Sequence, residues 1–183
     1  MTTTSAPPNP APNTTAPTTV APLAPRHLLV CVDVHDESGC QLAHGLVQRA
    51  AVLARSLDAR MTVFSVVPPL ATPAVPPSGW ESPAYKALLE AAMLQSESWR
   101  RIVLTLAERA QESGVKVDHN VLEADGRAAD LIVAAAGTYG ADLIVMASHS
   151  RRGLAHALLG SVAERTAARS PVPVVIVPRA ALG

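Results

Sequence analysis

The stretch "ASHSRRGLAHALLGS", Ala147 to Ser161, ends in a Gly160–Ser161 pair and carries two adjacent arginines, Arg151 and Arg152. These residue types suit the holding of a phosphate group. Ser161 stands three residues before Glu164, the spacing of a helix-capping box. The first N–H groups of a helix have no partner within it and point outward with the positive end of its dipole. An anion can take them, and a glycine just before lets it approach the backbone without meeting a Cβ. The plainer reading of the pair is that Ser161 caps its helix and Gly160 turns the chain. The arginines are equally open: they clamp a phosphate or stand solvated beside a loop. A second chemical group is Asp33, an acid closing the apolar run "HLLVCVD"; it accepts hydrogen bonds from a ligand or serves as a cap or turn residue. The six histidines show no ligand spacing, and His149 has no visible partner for a metal site. Cys31 and Cys40 lie nine positions apart, which is neither CxxC nor a metal pattern. Both read as structural thiols of a reducing compartment, Cys31 packing as a small hydrophobe.

The elements that must position these groups follow from hydrophobic periodicity. Residues 27–33, 61–67, 115–122, 142–148 and 172–178 are short Val/Ile-rich runs. They read as strands, the continuous ones covered on both faces and 115–122 alternating more. Between them lie helical patterns. Leu42, Leu46, Ala50, Leu53 and Leu57 form one stripe, capped by Asp36 or Ser38. Leu88, Ala92, Ser96, Trp99, Val103, Leu106 and Ala110 form a second along a helix over 83–113 that Gly114 ends. Ala128, Leu131, Ile132 and Ala135 face inward from a third over 127–138, and 161–169 make a fourth. Strand alternating with helix predicts an α/β fold, an open parallel sheet with helices on both faces and right-handed crossovers. Ligands in such sheets bind at the carboxyl ends of the strands. Asp33, Val66, Val67 and the segment from Met146 to Ser150 all fall at such ends. The proline-rich loop 68–83 opens on the same edge, where loops commonly cover ligand sites.

Composition narrows the classes of function. The 183 residues suffice for one domain. Hydrophobic residues make up 49% but aromatics only 3%, so the core is aliphatic. Fifteen basic residues balance fifteen acidic ones. A neutral chain with few rings lacks the basic face or stacking platform of a nucleic-acid binder. No segment has the roughly 18 apolar residues of a membrane span, and the start lacks the basic and apolar parts of a secretory signal, so a cytoplasmic protein is expected. In residues 1–25, Thr, Pro and Ala account for 19 positions. Repeated proline and the scarcity of large side chains predict a disordered tail, followed by one domain over 26–183.

Residues 26–178 resemble a universal stress protein domain. The resemblance is strongest at "DLIVMASHSRRGLAHALLGSVAERTAARSPVPVVIVP" (142–178), with support from "LLVCVD", "MTVFSVVPP" and "GRAADLIVAAA" (126–136). It implies a Rossmann-like five-stranded parallel sheet in the order 3-2-1-4-5, of the adenine-nucleotide α-hydrolase-like type. It also implies a homodimer through the last strand, 173–178. In the family's nucleotide-binding branch, ATP lies over the ends of strands one and four, and the pattern is G-x2-G-x9-G-[ST]. Laid on this chain, its glycines fall on Ala147, Ser150 and Gly160, the last followed by Ser161. The spacing is intact and two glycines are replaced. A Cβ at Ala147 or Ser150 can block close approach of a phosphate, and a position needing positive φ would cost about 1–2 kcal/mol with a side chain present. The Ser150 hydroxyl is itself able to contact phosphate. By resemblance, Asp33 meets the ribose or adenine side, with Val34 contributing backbone beside it. Val66 and Met146 contact adenine, unless they are only core. Ser148, His149 and Ser150, with Gly160, Ser161, Val162 and Ala163, surround the phosphates. Any Mg²⁺ arrives with the nucleotide, since no protein-made metal site is expected.

Three functions follow. The first is an ATP-binding sensor or regulatory protein of the stress response whose occupied state is read by a protein partner. The second is a dimeric stress-response interaction module that has lost nucleotide binding, favoured by the two replaced glycines. The third is an enzyme of the wider adenine-nucleotide α/β group. Against that one, "VDVHDESG" after the first strand lacks a glycine- and serine-rich phosphate loop, and no paired nucleophile and base is visible. At most slow ATP hydrolysis is expected.

Overall fold

A computed structural model of the chain describes residues 24–69, 79–148 and 161–182. The elements alternate: β1 (His27–Cys31), α1 (Glu37–Ser56), β2 (Arg60–Val67), α2 (Pro83–Gln111), β3 (Val117–Glu123), α3 (Ala128–Tyr139), β4 (Leu143–Ser148), α4 (Ser161–Arg169) and β5 (Val174–Pro178). A 3-10 turn, Arg179–Ala181, follows β5. The five strands form one parallel sheet in the order β3-β2-β1-β4-β5. The predicted α/β class and strand order are those observed. Residues 1–23, 70–78 and 149–160 lie outside the described residues, and with them most of the expected tail and the proline-rich loop.

Two aliphatic cores flank the sheet. Leu28, Val30, Val63 and Val145 meet α1 and α2 on one face, through Leu42, Leu46, Val103 and Leu106. Leu29, Cys31, Phe64, Ile144 and Met146 meet α3 and α4 on the other, through Ile132, Ala135, Ala136 and Ala163. All of β1 and β4 is buried, as expected for central strands of a parallel sheet. The edge strand β5 is only half covered, so the last of the predicted strands is not enclosed on both sides.

The helix ends follow local chemistry. Asp36, with extended φ −133° and ψ 170°, caps α1 by accepting from the Gly39 N–H at 2.7 Å. Ser82 caps α2 through the Tyr85 N–H, with Pro83 at the first helical position. Helix α2 closes at Gln111, two residues earlier than expected, and Gly114 (φ +81°) makes the turn into β3. On α3 the buried residues are Ala129, Ile132, Ala135 and Ala136, while Ala128 and Leu131 are half-buried. The inward face is thus rotated by one residue from the predicted stripe.

The larger departure lies on α2. Its stripe is buried from Ser96 through Trp99, Val103, Leu106 and Ala110, but Leu88 is 53% exposed. At 1.5 Å per residue a 29-residue helix is about 43 Å long. The seven residues of β3 span only about 23 Å. Helices of such a sheet run opposite to the strands, so the first turns of α2 project past the carboxyl edge.

Candidate functional site

The register of the central strands sets a row of side chains at the carboxyl edge. Cys31 is paired with Phe64 on β2 and with Met146 on β4. Two residues beyond that row, on the same face by strand alternation, stand Val66 and Ser148, and Asp33 lies two residues past the end of β1. Adjacent strands lie about 4.8 Å apart, so three positions distant in sequence become neighbours. Val66 is half-buried against the α3/α4 core, Met146 is buried within it, and Ser148 is buried at the end of β4. The Val32 N–H donates to Phe64 O at 2.9 Å, and the Ser65 hydroxyl donates to Val32 O at 3.0 Å. These bonds carry the sheet pairing one step past β1 and steady the backbone leading to Asp33.

Val34 and Ala147 have the opposite parity and pack in the core against α1 and α2. Ala147 is 7% exposed and paired with Val177 in the β4–β5 ladder. Among the described residues only Asp58 combines a side chain with positive φ. Ala147 therefore carries no left-handed strain, and its Cβ is occupied in the core. Ser150, the other replaced glycine, lies outside the described residues, as do His149, Arg151, Arg152 and Gly160.

Helix α4 opens at Ser161 with Glu164 in its first turn. Ser161 is exposed, Val162 is exposed, and Ala163 is buried under the sheet. Because α4 leads into parallel β5 by a crossover, its N-terminus faces the carboxyl edge. Its first N–H groups lie on the side of the sheet where Asp33, Val66 and Ser148 end. The predicted residues that the structure describes thus fall in different places: Val66 and Met146 with the α3/α4 core, Val34 and Ala147 in the opposite core, and Asp33, Ser148 and the start of α4 at the carboxyl edge.

Sequence reasoning missed the surroundings of Asp33. Its Oδ1 accepts from the His35 N–H at 3.0 Å, and His35 Nδ1 lies 3.8 Å from the same oxygen. The His35 ring leans on Trp99 of α2, with centroids 5.3 Å apart and planes at 48°. Trp99 is 8% exposed, and its indole N–H has no hydrogen-bond partner among the described residues. From the helix side Gly39 closes in: a Cβ there would lie 2.8 Å from Asp33 O and 3.2 Å from Asp33 Cγ. A glycine inside a helix costs roughly 0.5–1 kcal/mol against alanine, and that apparent defect was the legible signal of a close approach.

Neither cysteine is equipped as a nucleophile. Burial pushes the Cys31 thiol far up, and burial followed by the Asp33 and Asp36 carboxylates raises Cys40. Both are free thiols, and Cys31 packs in the α3/α4 core as expected. At β3 the Ser96 hydroxyl and Arg100 hold the Glu123 carboxyl below its ordinary range. No group of three or more His, Cys, Asp or Glu suited to a metal occurs among the described residues. No described helix is long and apolar enough to cross a membrane.

Comparisons with known proteins agree with this fold. A family model described as "Universal stress protein family" matches residues 25–178. A curated protein of Methanocaldococcus jannaschii, "Universal stress protein MJ0531", is 32% identical over 140 residues, covering 76% of each chain. Among solved structures, a universal stress protein in complex with cAMP superposes with TM-score 0.56 at 21% identity, covering 85% of this chain and 98% of that one. A universal stress protein from Archaeoglobus fulgidus in complex with dAMP gives TM-score 0.53 at 17% identity, covering 81% and 94%.

Proposed function

The chain belongs to the universal stress protein family, and from that premise we propose that it binds an adenine nucleotide, ATP in the first instance, across the ends of β1 and β4. Its role is that of a nucleotide-responsive regulatory protein of the stress response. The observation that carries this reading is the meeting of strand ends at the carboxyl edge: Val66, Asp33 and Ser148 each stand two residues past the paired Phe64, Cys31 and Met146. The start of α4 faces the same edge, and the Ala147 Cβ is turned into the opposite core.

In this reading the Asp33 carboxylate accepts from the ribose or the adenine amine, with Val34 backbone beside it. Val66 and Met146 flank the base. Ser148, His149, Ser150, Gly160, Ser161, Val162 and Ala163 surround the phosphates, with Mg²⁺ supplied alongside the nucleotide. That two solved relatives carry cAMP and dAMP supports an adenine nucleotide as the ligand class. Ordering by ligand stabilises the folded state by mass action, and the occupied form is the one a partner reads. The protein works as a homodimer through the half-covered edge strand β5, within 173–178. The N-terminal segment 1–25 stands outside the 26–183 domain.

Calorimetry with Mg-ATP tests the site. Binding is expected, and Asp33→Ala is expected to weaken it about tenfold, the loss of about 1.4 kcal/mol. An affinity unchanged by Asp33→Ala would overturn the placement of the ligand. The reading as a dimeric interaction module without nucleotide rests on Ser150 replacing the pattern's second glycine, and it predicts no heat at millimolar ATP.

A further inference from the structure

We propose that Gly39 is a positioning residue for Asp33, and that through it the protein distinguishes a ribonucleotide from its 2′-deoxy counterpart. The inference rests on the reading that Asp33 meets the sugar of a bound nucleotide.

Gly39 lies in the first turn of α1, where its N–H is fixed by the Asp36 cap at 2.7 Å. Its φ is not among the positive values of the described glycines, so backbone conformation gives no reason for glycine here. Space does. A Cβ would stand 2.8 Å from Asp33 O, 3.2 Å from Asp33 C and 3.2 Å from Asp33 Cγ. The nearest atom is backbone, so no rotamer change relieves the contact. Neither side yields easily: α1 is seated by Leu42, Ala43, Leu46, Val47, Ala50, Ala51 and Ala54, and Asp33 follows a wholly buried strand. On its other flank the carboxylate takes the His35 N–H, and the His35 ring is seated on Trp99. The carboxyl group is therefore bracketed between a helix that comes unusually close and a loop braced by a buried indole.

An ionised carboxylate only accepts hydrogen bonds, so against a sugar it takes hydroxyl donors. Removing one hydroxyl from the ligand leaves the rest of the nucleotide unchanged and reads that contact alone. A displacement of a few tenths of an ångström at Asp33 alters the same contact without touching the phosphate end at α4.

Calorimetric affinities for ATP and 2′-deoxy-ATP are compared in the full chain, in Gly39→Ala, and in Gly137→Ala. The last makes the same change in α3, where a Cβ meets nothing within 4 Å. The wild-type chain and Gly137→Ala are expected to prefer ATP about tenfold, and Gly39→Ala to show a ratio near one with its deoxy-ATP affinity retained. A Gly39→Ala ratio equal to wild type, or an equal loss for both nucleotides, overturns the proposal. Equal affinity of the wild-type chain for the two ligands overturns the sugar contact while leaving nucleotide binding intact. Binding of neither by the wild-type chain overturns the functional reading itself. Should Gly39→Ala fail to fold, His35→Ala loosens the bracket from the loop side and is expected to lower the same ratio; an unchanged ratio there counts against the proposal.

Discussion

Ala147 and Gly39 carry opposite lessons about single residues at the carboxyl edge. Ala147 replaces a glycine of the family pattern, yet its Cβ has a place in the core against α1 and α2. Gly39 matches no motif, yet a side chain there would meet the Asp33 backbone. Motif spacing does not say which face a Cβ takes, because face is set by strand register. A third residue, His27, opens β1 fully enclosed. Its Nδ1 lies 3.0 Å from Tyr139 O and its Nε2 2.8 Å from Thr62 Oγ1. With Nδ1–H donating to the carbonyl, neutral Nε2 accepts from the threonine hydroxyl. Burial foremost, then Arg60, lowers the His27 pKa; Asp142 and the carbonyl-side hydrogen bonding oppose this. The folded state therefore prefers the neutral ring, while the unfolded chain takes a proton below about pH 6.5. Stability from this group is present above that value and is lost as pH falls from it through the lowered folded value. Urea midpoints are expected to decline between about pH 7 and 5, and His27→Gln to flatten that limb. An unchanged slope in the variant would assign the decline to other groups.

At the scale of elements, α1, the strands and α4 stood out in the sequence because apolar spacing and capping residues coincide. Asp36 serves as the cap of α1 as expected, and the last helix spans 161–169 as read. The stripe of α2 was misread in its first turns because periodicity reports which face is apolar and not what lies beneath it. Leu88, Met93 and Leu94 belong to the part that outruns the sheet, at 53%, 55% and 60% exposure. The helix thus has an anchored half and a projecting half. Leu106→Ala in the anchored half is expected to cost about 2–5 kcal/mol, and Leu88→Ala in the projecting half to stay within about 0.5 kcal/mol. Denaturant unfolding of the two variants checks the contrast, and similar costs would mean that the first turns are covered in solution. A second element-level feature was also hidden from the sequence. The C-terminal turn folds back on α1 at Gly45, where a Cβ would lie 2.5 Å from Leu182 O, and Leu182 joins the α1/α2 core. A glycine within a helical pattern marks such a contact only once its neighbour is known.

The molecule as a whole is a parallel sheet whose carboxyl edge gathers residues from β1, β2, β4 and the start of α4. Strand order and class were legible because buried Val/Ile runs alternate with amphipathic helices, and the resemblance supplied the order. What the sequence withheld was three-dimensional adjacency: that the strands carrying Val66, Asp33 and Ser148 end side by side, and that His35, seated on Trp99, braces Asp33. Whether this edge holds an adenine nucleotide is decided by native mass spectrometry of the gently purified protein, followed by identification of the released small molecule. A dimer mass carrying an adenine nucleotide on each chain, retained on exchange into Mg-ATP, is expected. Protein that carries no nucleotide and takes up none from millimolar Mg-ATP would contradict it.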